Sequence, residues 1–187
     1  MNKHKIKYPK LLLLLLTFVI SIILFYEGKT YPPFNGFLTS LGYIGVFLGG
    51  IFYAYGFTAA PATAALLVLA KEQNILLAGL IGGFGALVSD IIIFLFIKYS
   101  FADEIKRLEK EKVVKFLEKE EEKFFGHHHK YVLASLAGFL IASPLPSEIG
   151  VTLMAALKNM SIKKFMIIAY SLHTVGIILI LLIGNFI

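Results

Sequence analysis

Apolar positions in this chain fall in long blocks separated by short polar breaks, which is the pattern of membrane-spanning segments. Residues 11–26 form one unbroken apolar run, and residues 37–55 form another, rich in glycine at Gly42, Gly45, Gly49 and Gly50. The second run is interrupted at Gly56-Phe57-Thr58-Ala59-Ala60-Pro61 and resumes over residues 62–70. Lys71-Glu72-Gln73-Asn74 then leads into residues 75–99, which hold a single acid, Asp90. After a charged stretch, residues 131–157 are apolar except where Ala142-Ser143-Pro144-Leu145-Pro146-Ser147-Glu148 breaks them. The last apolar run, 165–187, holds one histidine, His173.

The two breaks organise the rest. Pro144 and Pro146 remove backbone donors and stop a helix. Within hydrocarbon, broken backbone is tolerated only where protein or a water-filled cavity covers it. Each break is therefore expected to be the tip of a re-entrant hairpin. A half-helix starts at each: Pro144 suits the first helical position with Ser143 as N-cap, and Pro61 or Ala60 starts the other near Thr58 and Thr63.

Composition agrees with a membrane protein. Hydrophobic residues make up 58%, charged residues 16%, and the mean hydropathy is +0.80; a soluble domain carries about 25% charge. Without cysteine, disulfides and Cys-ligated metals are excluded. The net charge of +6 does not require nucleic acid, because basic cytoplasmic loops account for it. If both broken runs enter and leave on one side, 16 of the 18 basic residues lie on the cytoplasmic face and only Lys29 and Lys71 lie outside. A full crossing at 37–55 would instead put the charged segment 100–130 outside. The N-terminus is thus expected in the cytoplasm and the C-terminus outside, in the cell membrane. Residues 27–33 offer no small-x-small cleavage site, so the first run is expected to stay as a transmembrane helix.

The expected fold is an all-α polytopic membrane protein in four parts. Residues 1–36 are an N-terminal anchor helix followed by a Pro/Gly loop at 31–36. Residues 37–99 are a first unit of re-entrant hairpin plus transmembrane helix, and 131–187 are a second, entering from the opposite face as an inverted repeat. Between them, 100–130 places Ile105, Leu108, Val113, Phe116, Leu117, Phe124 and Phe125 roughly on one side at helical spacing. That reads as an amphipathic cytoplasmic connector helix, or as a solvated charged connector. A spacing supports the repeat: Pro61 precedes Asp90 by 29 residues (90 − 61), and Pro144 precedes His173 by 29 (173 − 144).

Candidate chemistry is confined to a few side chains. Helix N-termini at the breaks suit anions such as phosphate. A charged Glu148 at a helix centre costs roughly 2.5–3.5 kcal/mol, so it must be protonated, hydrated or paired. It reads as a proton carrier or headgroup contact, or as a carboxylate capping its own half-helix. Asp90, beside Ser89, reads as a relay or cavity-lining group, or as a satisfied interhelical hydrogen bond. His173 can change charge near neutral pH or stay neutral and hydrogen-bonded. The candidate substrate or proton pathway is therefore Glu148, Asp90, His173, Ser147 and Ser143, with Pro61, Pro144 and Pro146 as the hairpin breaks. His127-His128-His129 completes no metal-ligand spacing. No phosphate loop, Ser/His/Asp order or zinc motif is found, so neither an enzyme nor a cofactor or metal is expected.

Leu41-Gly42-Tyr43-Ile44-Gly45-Val46-Phe47-Leu48, the Pro61 break, residues 82–90 and the Phe94…Lys98 tail resemble the first half of the DedA family, also called SNARE-associated or VTT-domain proteins. Residues 130–187, through Pro144-Leu145-Pro146-Ser147-Glu148, are similar to its second repeat. The resemblance implies two inverted re-entrant hairpins and movement of lipid between leaflets, with polyprenyl-phosphate or phospholipid headgroups as substrate and a dependence on protons. It sets Asp90 at the family's Gly-Asp element. The first hairpin reads Pro61-Ala62-Thr63-Ala64-Ala65, without the family's acid, and no arginine lies between residues 131 and 157. Two other readings stand beside it: a proton-coupled transporter of a small solute, and a membrane assembly factor working through residues 100–130. The expected partners are membrane lipids and protons, not nucleic acid; the choice between monomer and homo-oligomer is open.

Overall fold

The computed structural model describes residues 9–100, 129–143, 147–156 and 160–186. Most of the charged connector, His127, His128, Pro144 and Pro146 lie outside the described residues. Every described element is helical: α1 (Pro9–Thr30), α2 (Pro32–Ser40), α3 (Gly42–Tyr53), α4 (Ala59–Leu69), a 3-10 turn (Ala70–Glu72), α5 (Ile75–Ser100), α6 (His129–Ala142), α7 (Ser147–Ala156) and α8 (Ile162–Phe186).

Two of these helices can cross a bilayer. The apolar stretches Ile75–Ile97 and Ile162–Phe186 hold 23 and 25 residues. At 1.5 Å per residue each is roughly 35 Å long, enough for a hydrocarbon core of about 30 Å. The chain is thus a membrane-embedded helical protein. Polar residues start both helices. The Asn74 Oδ1 accepts from the Leu77 amide at 3.0 Å, and the Ser161 carbonyl accepts from the Phe165 amide at 2.9 Å.

Helices α5 and α8 run antiparallel and touch through glycine. Gly79 lies against Ile178, Gly82 against Ile177, and Gly83 against the backbone of Thr174. In lipid, where burying leucine gains little over leaving it among acyl chains, such close backbone approach is a main source of helix association. The other side of α5 receives α3, with Gly50 on the Gly82 carbonyl and Gly85 on the Phe47 carbonyl. Leu66 and Leu69 of α4 reach back over Gly49 and Gly45, so α3 and α4 form an antiparallel pair. Gly28 of α1 meets Val68 of α4, and Gly184 of α8 meets Leu67 and Ala70. In the second half, Gly150 of α7 packs on the Ala137 carbonyl and Ile141 of α6.

The core divides in two along α5 and α8. One cluster joins Val46, Tyr53, Leu66, Leu69, Ala78, Ile177 and Leu181. The other joins Leu87, Phe94, Ile141, Val151, Met154 and Phe165, with the Phe94 and Phe165 rings stacked at 4.3 Å. Asp90 lies between Leu87 and Phe94 of the second cluster on α5.

The structure corrects the expectation of a Pro/Gly loop at 31–36. Pro32 and Pro33 occupy the first positions of α2, where a missing N–H costs nothing and the fixed φ favours a helix. The run 37–55 is likewise not straight: α2 and α3 meet at 89°. Gly42, with φ of +51°, follows the bend in a backbone conformation that glycine adopts readily.

The glycine contacts carry a prediction. A Cβ at position 50 would strike the Gly82 carbonyl, whereas one at position 36 meets nothing within 4 Å. Gly50→Ala is expected to cost about 1–3 kcal/mol, as overpacking does. Gly36→Ala, inside α2, should instead gain about 0.5–1 kcal/mol. Denaturant unfolding of both variants in detergent checks the contrast.

Candidate functional site

The α3 helix ends at Tyr53, and its last carbonyls have no next turn to bond to. Those of Ile51, Phe52 and the following Ala54 find partners from side chains. Ser89 of α5 donates to the Ile51 carbonyl at 2.9 Å. Thr58 folds back onto the Phe52 carbonyl at 2.6 Å. Ser147, the first residue of α7, donates to the Ala54 carbonyl at 2.6 Å. The Gly56 amide, freed by the same break, donates to the Glu148 Oε1 at 2.7 Å. The exchange is reciprocal, because the Tyr53 hydroxyl donates to the Ala142 carbonyl at the end of α6, 3.1 Å away.

Asp90 lies beneath this junction. Its Oδ2 is 2.7 Å from the His173 Nε2 of α8, and both side chains are 0% exposed. Its Oδ1 is 3.0 Å from the Ser147 hydroxyl. A hydroxyl carries one proton, so Ser147 shares it between Asp90 and the Ala54 carbonyl or alternates between them. The Tyr53 ring meets the His173 imidazole edge-on at 5.9 Å, which confines the ring that holds Asp90. Three buried polar atoms among the described residues have no partner: Glu148 Oε2, His173 Nδ1 and Thr174 Oγ1. A carboxylate oxygen can accept a proton or a donor, and an imidazole nitrogen can give or take one. The junction therefore has the atoms of a proton-exchanging polar site at the meeting point of two broken helices.

The structure brings four of the five expected pathway residues together. Asp90, His173 and Ser147 are directly linked, and Glu148 is the next residue along α7. Asp90 and His173, the pair marked by the equal spacing, are each other's partners. Glu148 stands in the first turn of α7, where a helix favours negative charge, yet its bonded oxygen reaches across to Gly56. The Ser143 hydroxyl bonds back to the Leu140 carbonyl at 3.2 Å, at the end of α6; residues 144–146, where its expected half-helix would start, lie outside the described residues. Pro61 lies within the first turn of α4, two positions after Ala59, so it follows the break at residues 54–58 and does not form it. Pro144 and Pro146 lie outside the described residues. Among the described residues no group of three or more His, Cys, Asp or Glu is placed to hold a metal ion.

Sequence reasoning missed Tyr53, Thr174 and the backbone at Ala54 and Gly56. Tyr53 had a signal, since a tyrosine in an apolar run needs a partner for its hydroxyl. The backbone groups had none, because every residue carries them.

The buried pair predicts a large stability effect. Asp90→Leu or His173→Leu alone should cost about 3–5 kcal/mol, the range for removing one partner of a buried pair. The double variant should lose less than the sum, with a coupling of about 0.5–3 kcal/mol. Ser147→Ala should cost about 1–3 kcal/mol by orphaning the Ala54 carbonyl. A double-mutant cycle by chemical unfolding in detergent measures all of these.

Comparisons with family models, with curated proteins and with solved structures each found no match to this chain.

Proposed function

We propose that this protein is a membrane transporter of the DedA type that moves lipid headgroups, polyprenyl-phosphate or phospholipid, between leaflets with protons involved. The observation that carries the reading is the meeting of two helix breaks on the buried Asp90–His173–Ser147 cluster, with Glu148 beside it. In this reading α3–α4 and α6–α7 are re-entrant hairpins entering from opposite ends of the α5–α8 pair. Helices α3 and α4 hold 12 and 11 residues, about 16–18 Å each, close to half of a hydrocarbon core of about 30 Å. Helices α6 and α7 hold 14 and 10 residues. Each hairpin with its following long helix is one repeat, and the site lies between the repeats, as in transporters built this way.

Lipid is favoured over a soluble solute by the position of Glu148. It is half-buried with its Oε2 inside, and its neighbour Ile149 is 55% exposed, so the site lies one residue from a surface that would meet acyl chains. A polar group there lowers the cost of carrying a headgroup past hydrocarbon. The charge distribution orients the chain with its N-terminus in the cytoplasm. A proton-coupled solute transporter is the second reading. It is favoured by the complete burial of the Asp90–His173 pair, which shields proton exchange from lipid.

Proteoliposomes separate these readings. A headgroup-labelled lipid should cross between leaflets faster than in empty vesicles, and Glu148→Gln should slow it at least tenfold while the protein stays folded. Wild-type rates equal to empty vesicles remove the lipid reading; solute uptake that collapses with the pH gradient then selects the second. The chain has no native cysteine, so Glu72→Cys and Lys163→Cys also test orientation. An impermeant thiol reagent should label the first from outside and the second only after the membrane is opened.

A further inference from the structure

Helix α2 lies across the direction in which its neighbours run. Val46, Phe47 and Ile51 of α3 meet Gly82, Gly85 and Ser89 of α5 in that order, so α3 runs along the long apolar helix α5 in the same sense. Helix α2 meets α3 at 89° and is therefore close to perpendicular to a helix able to cross the membrane. Its level is set from several sides. Gly42, at the bend, faces the Gln73 side-chain amide just before α5, 4.0 Å from where a Cβ would stand. Leu38 of α2 and Val68 of α4 both close on Gly28 of α1, and the Asn35 side-chain amide donates to the Gly28 carbonyl. These contacts lie within about one turn of the polar break Lys71-Glu72-Gln73-Asn74, at the end of α5 remote from the charged segment 100–130.

The residues of α2 divide by polarity. At about 100° per residue, Phe34, Phe37 and Leu38 fall on one side, and Asn35, Gly36, Thr39 and Ser40 fall on the other. Leu38 is buried against the bundle, whereas Phe37 is 59% exposed and the N-cap residue Tyr31 is 54% exposed. No residue of α2 is charged. A short helix with an exposed aromatic side, a polar side and a direction across the spanning axis fits the boundary between headgroups and acyl chains, where aromatic rings concentrate. Either pure environment suits it less well. Hydrocarbon on all sides would oppose Asn35 and its polar neighbours, and water on all sides would leave the Phe37 and Tyr31 rings without apolar contact.

We propose that the partner of α2 is the surface of one leaflet, on the membrane face away from the charged segment 100–130. Phe37 and Tyr31 are set into the boundary just below the headgroups, and Gly36 and Ser40 face water. Helix α3 then starts at that boundary. Its 12 residues, about 18 Å, bring the break at residues 54–58 close to the middle of a hydrocarbon core of about 30 Å. Helix α2 thereby fixes the depth at which the Asp90 junction forms. The placement rests on α5 crossing the membrane and on no transported substrate.

The chain has no tryptophan, so single Trp variants report depth without background. Tyr31→Trp, Phe37→Trp, Ile44→Trp, Leu48→Trp and Phe52→Trp all change exposed side chains. Each full-length variant is placed in phosphatidylcholine vesicles brominated either near the top or near the end of the acyl chain, and quenching is compared. Tyr31→Trp and Phe37→Trp, six residues apart (37 − 31), should be quenched alike, at least twofold more by the shallow bromines than by the deep ones. A helix running inward would separate them by about 9 Å and shift Phe37→Trp toward the deep bromines. Along α3 the preference should fall stepwise from Ile44 to Leu48 and reverse at Phe52. Ser40→Trp, on the polar side, should be quenched by aqueous acrylamide at least twofold more than Phe37→Trp. A graded change between Tyr31 and Phe37 overturns the proposal, as does acrylamide quenching of both without bromine quenching of either. If α3 still shows its stepwise fall, that failure is confined to α2; no fall along α3 overturns the proposal and the re-entrant reading of α3 and α4 together. A Trp variant that does not fold is replaced by a nitroxide-labelled Cys at the same position, read by collision with oxygen and with a water-soluble nickel chelate, with the same ordering expected and the same results counting against it.

Discussion

A helix that stops within an apolar bundle leaves carbonyls and amides that its surroundings cannot satisfy, and this structure depends on how those at the end of α3 are satisfied. The Ala54 carbonyl and the Gly56 amide are bonded by Ser147 and Glu148 of α7, and the Ala142 carbonyl of α6 is bonded by Tyr53 of α3. Neither half closes its own break completely. Leaving a buried polar group unmade costs about 1–3 kcal/mol, so the halves are bound together by several such terms that vanish if they separate. Polar groups thus join the two halves of an otherwise apolar bundle.

That arrangement explains why an acid, an imidazole and a serine lie at its centre. Ser147 has one hydroxyl proton to share between the Ala54 carbonyl and the Asp90 Oδ1, 3.0 Å away. Asp90 in turn needs a second partner, and His173 supplies it at 2.7 Å. The glycines of α5 and α8 make this possible. Gly79, Gly82 and Gly83 let the backbones approach, so that Asp90, about two to three turns further along α5, comes within hydrogen-bonding distance of His173. In the proposed transporter, structural need and proton chemistry would be met by the same residues. A group that switches its hydrogen bond at Ser147 would loosen the junction between the halves, which is the coupling an alternating transporter requires.

Much of the fold was legible in the sequence because lipid imposes simple rules. Long apolar runs had to be helices, the polar residues within them needed partners, and the glycines marked close contacts. The equal spacing of Pro61–Asp90 and Pro144–His173 singled out two residues that the structure pairs. The correction concerns proline: residues 31–36 were read as a loop, but Pro32 and Pro33 stand in the first turn of α2, where proline is compatible with the backbone.

By itself the sequence determined that the chain is a helical membrane protein, where its apolar runs are interrupted, and which few ionisable side chains lie within them. These follow from composition and periodicity, which are local properties. Tertiary structure alone decided that the break after α3 is closed by the first residues of α7 and that Glu148 reaches Gly56 rather than capping its own helix. Those contacts join residues more than forty positions apart. Their partners are backbone atoms common to every residue or side chains brought together only by helix packing, so the order of residues carries no local mark of them.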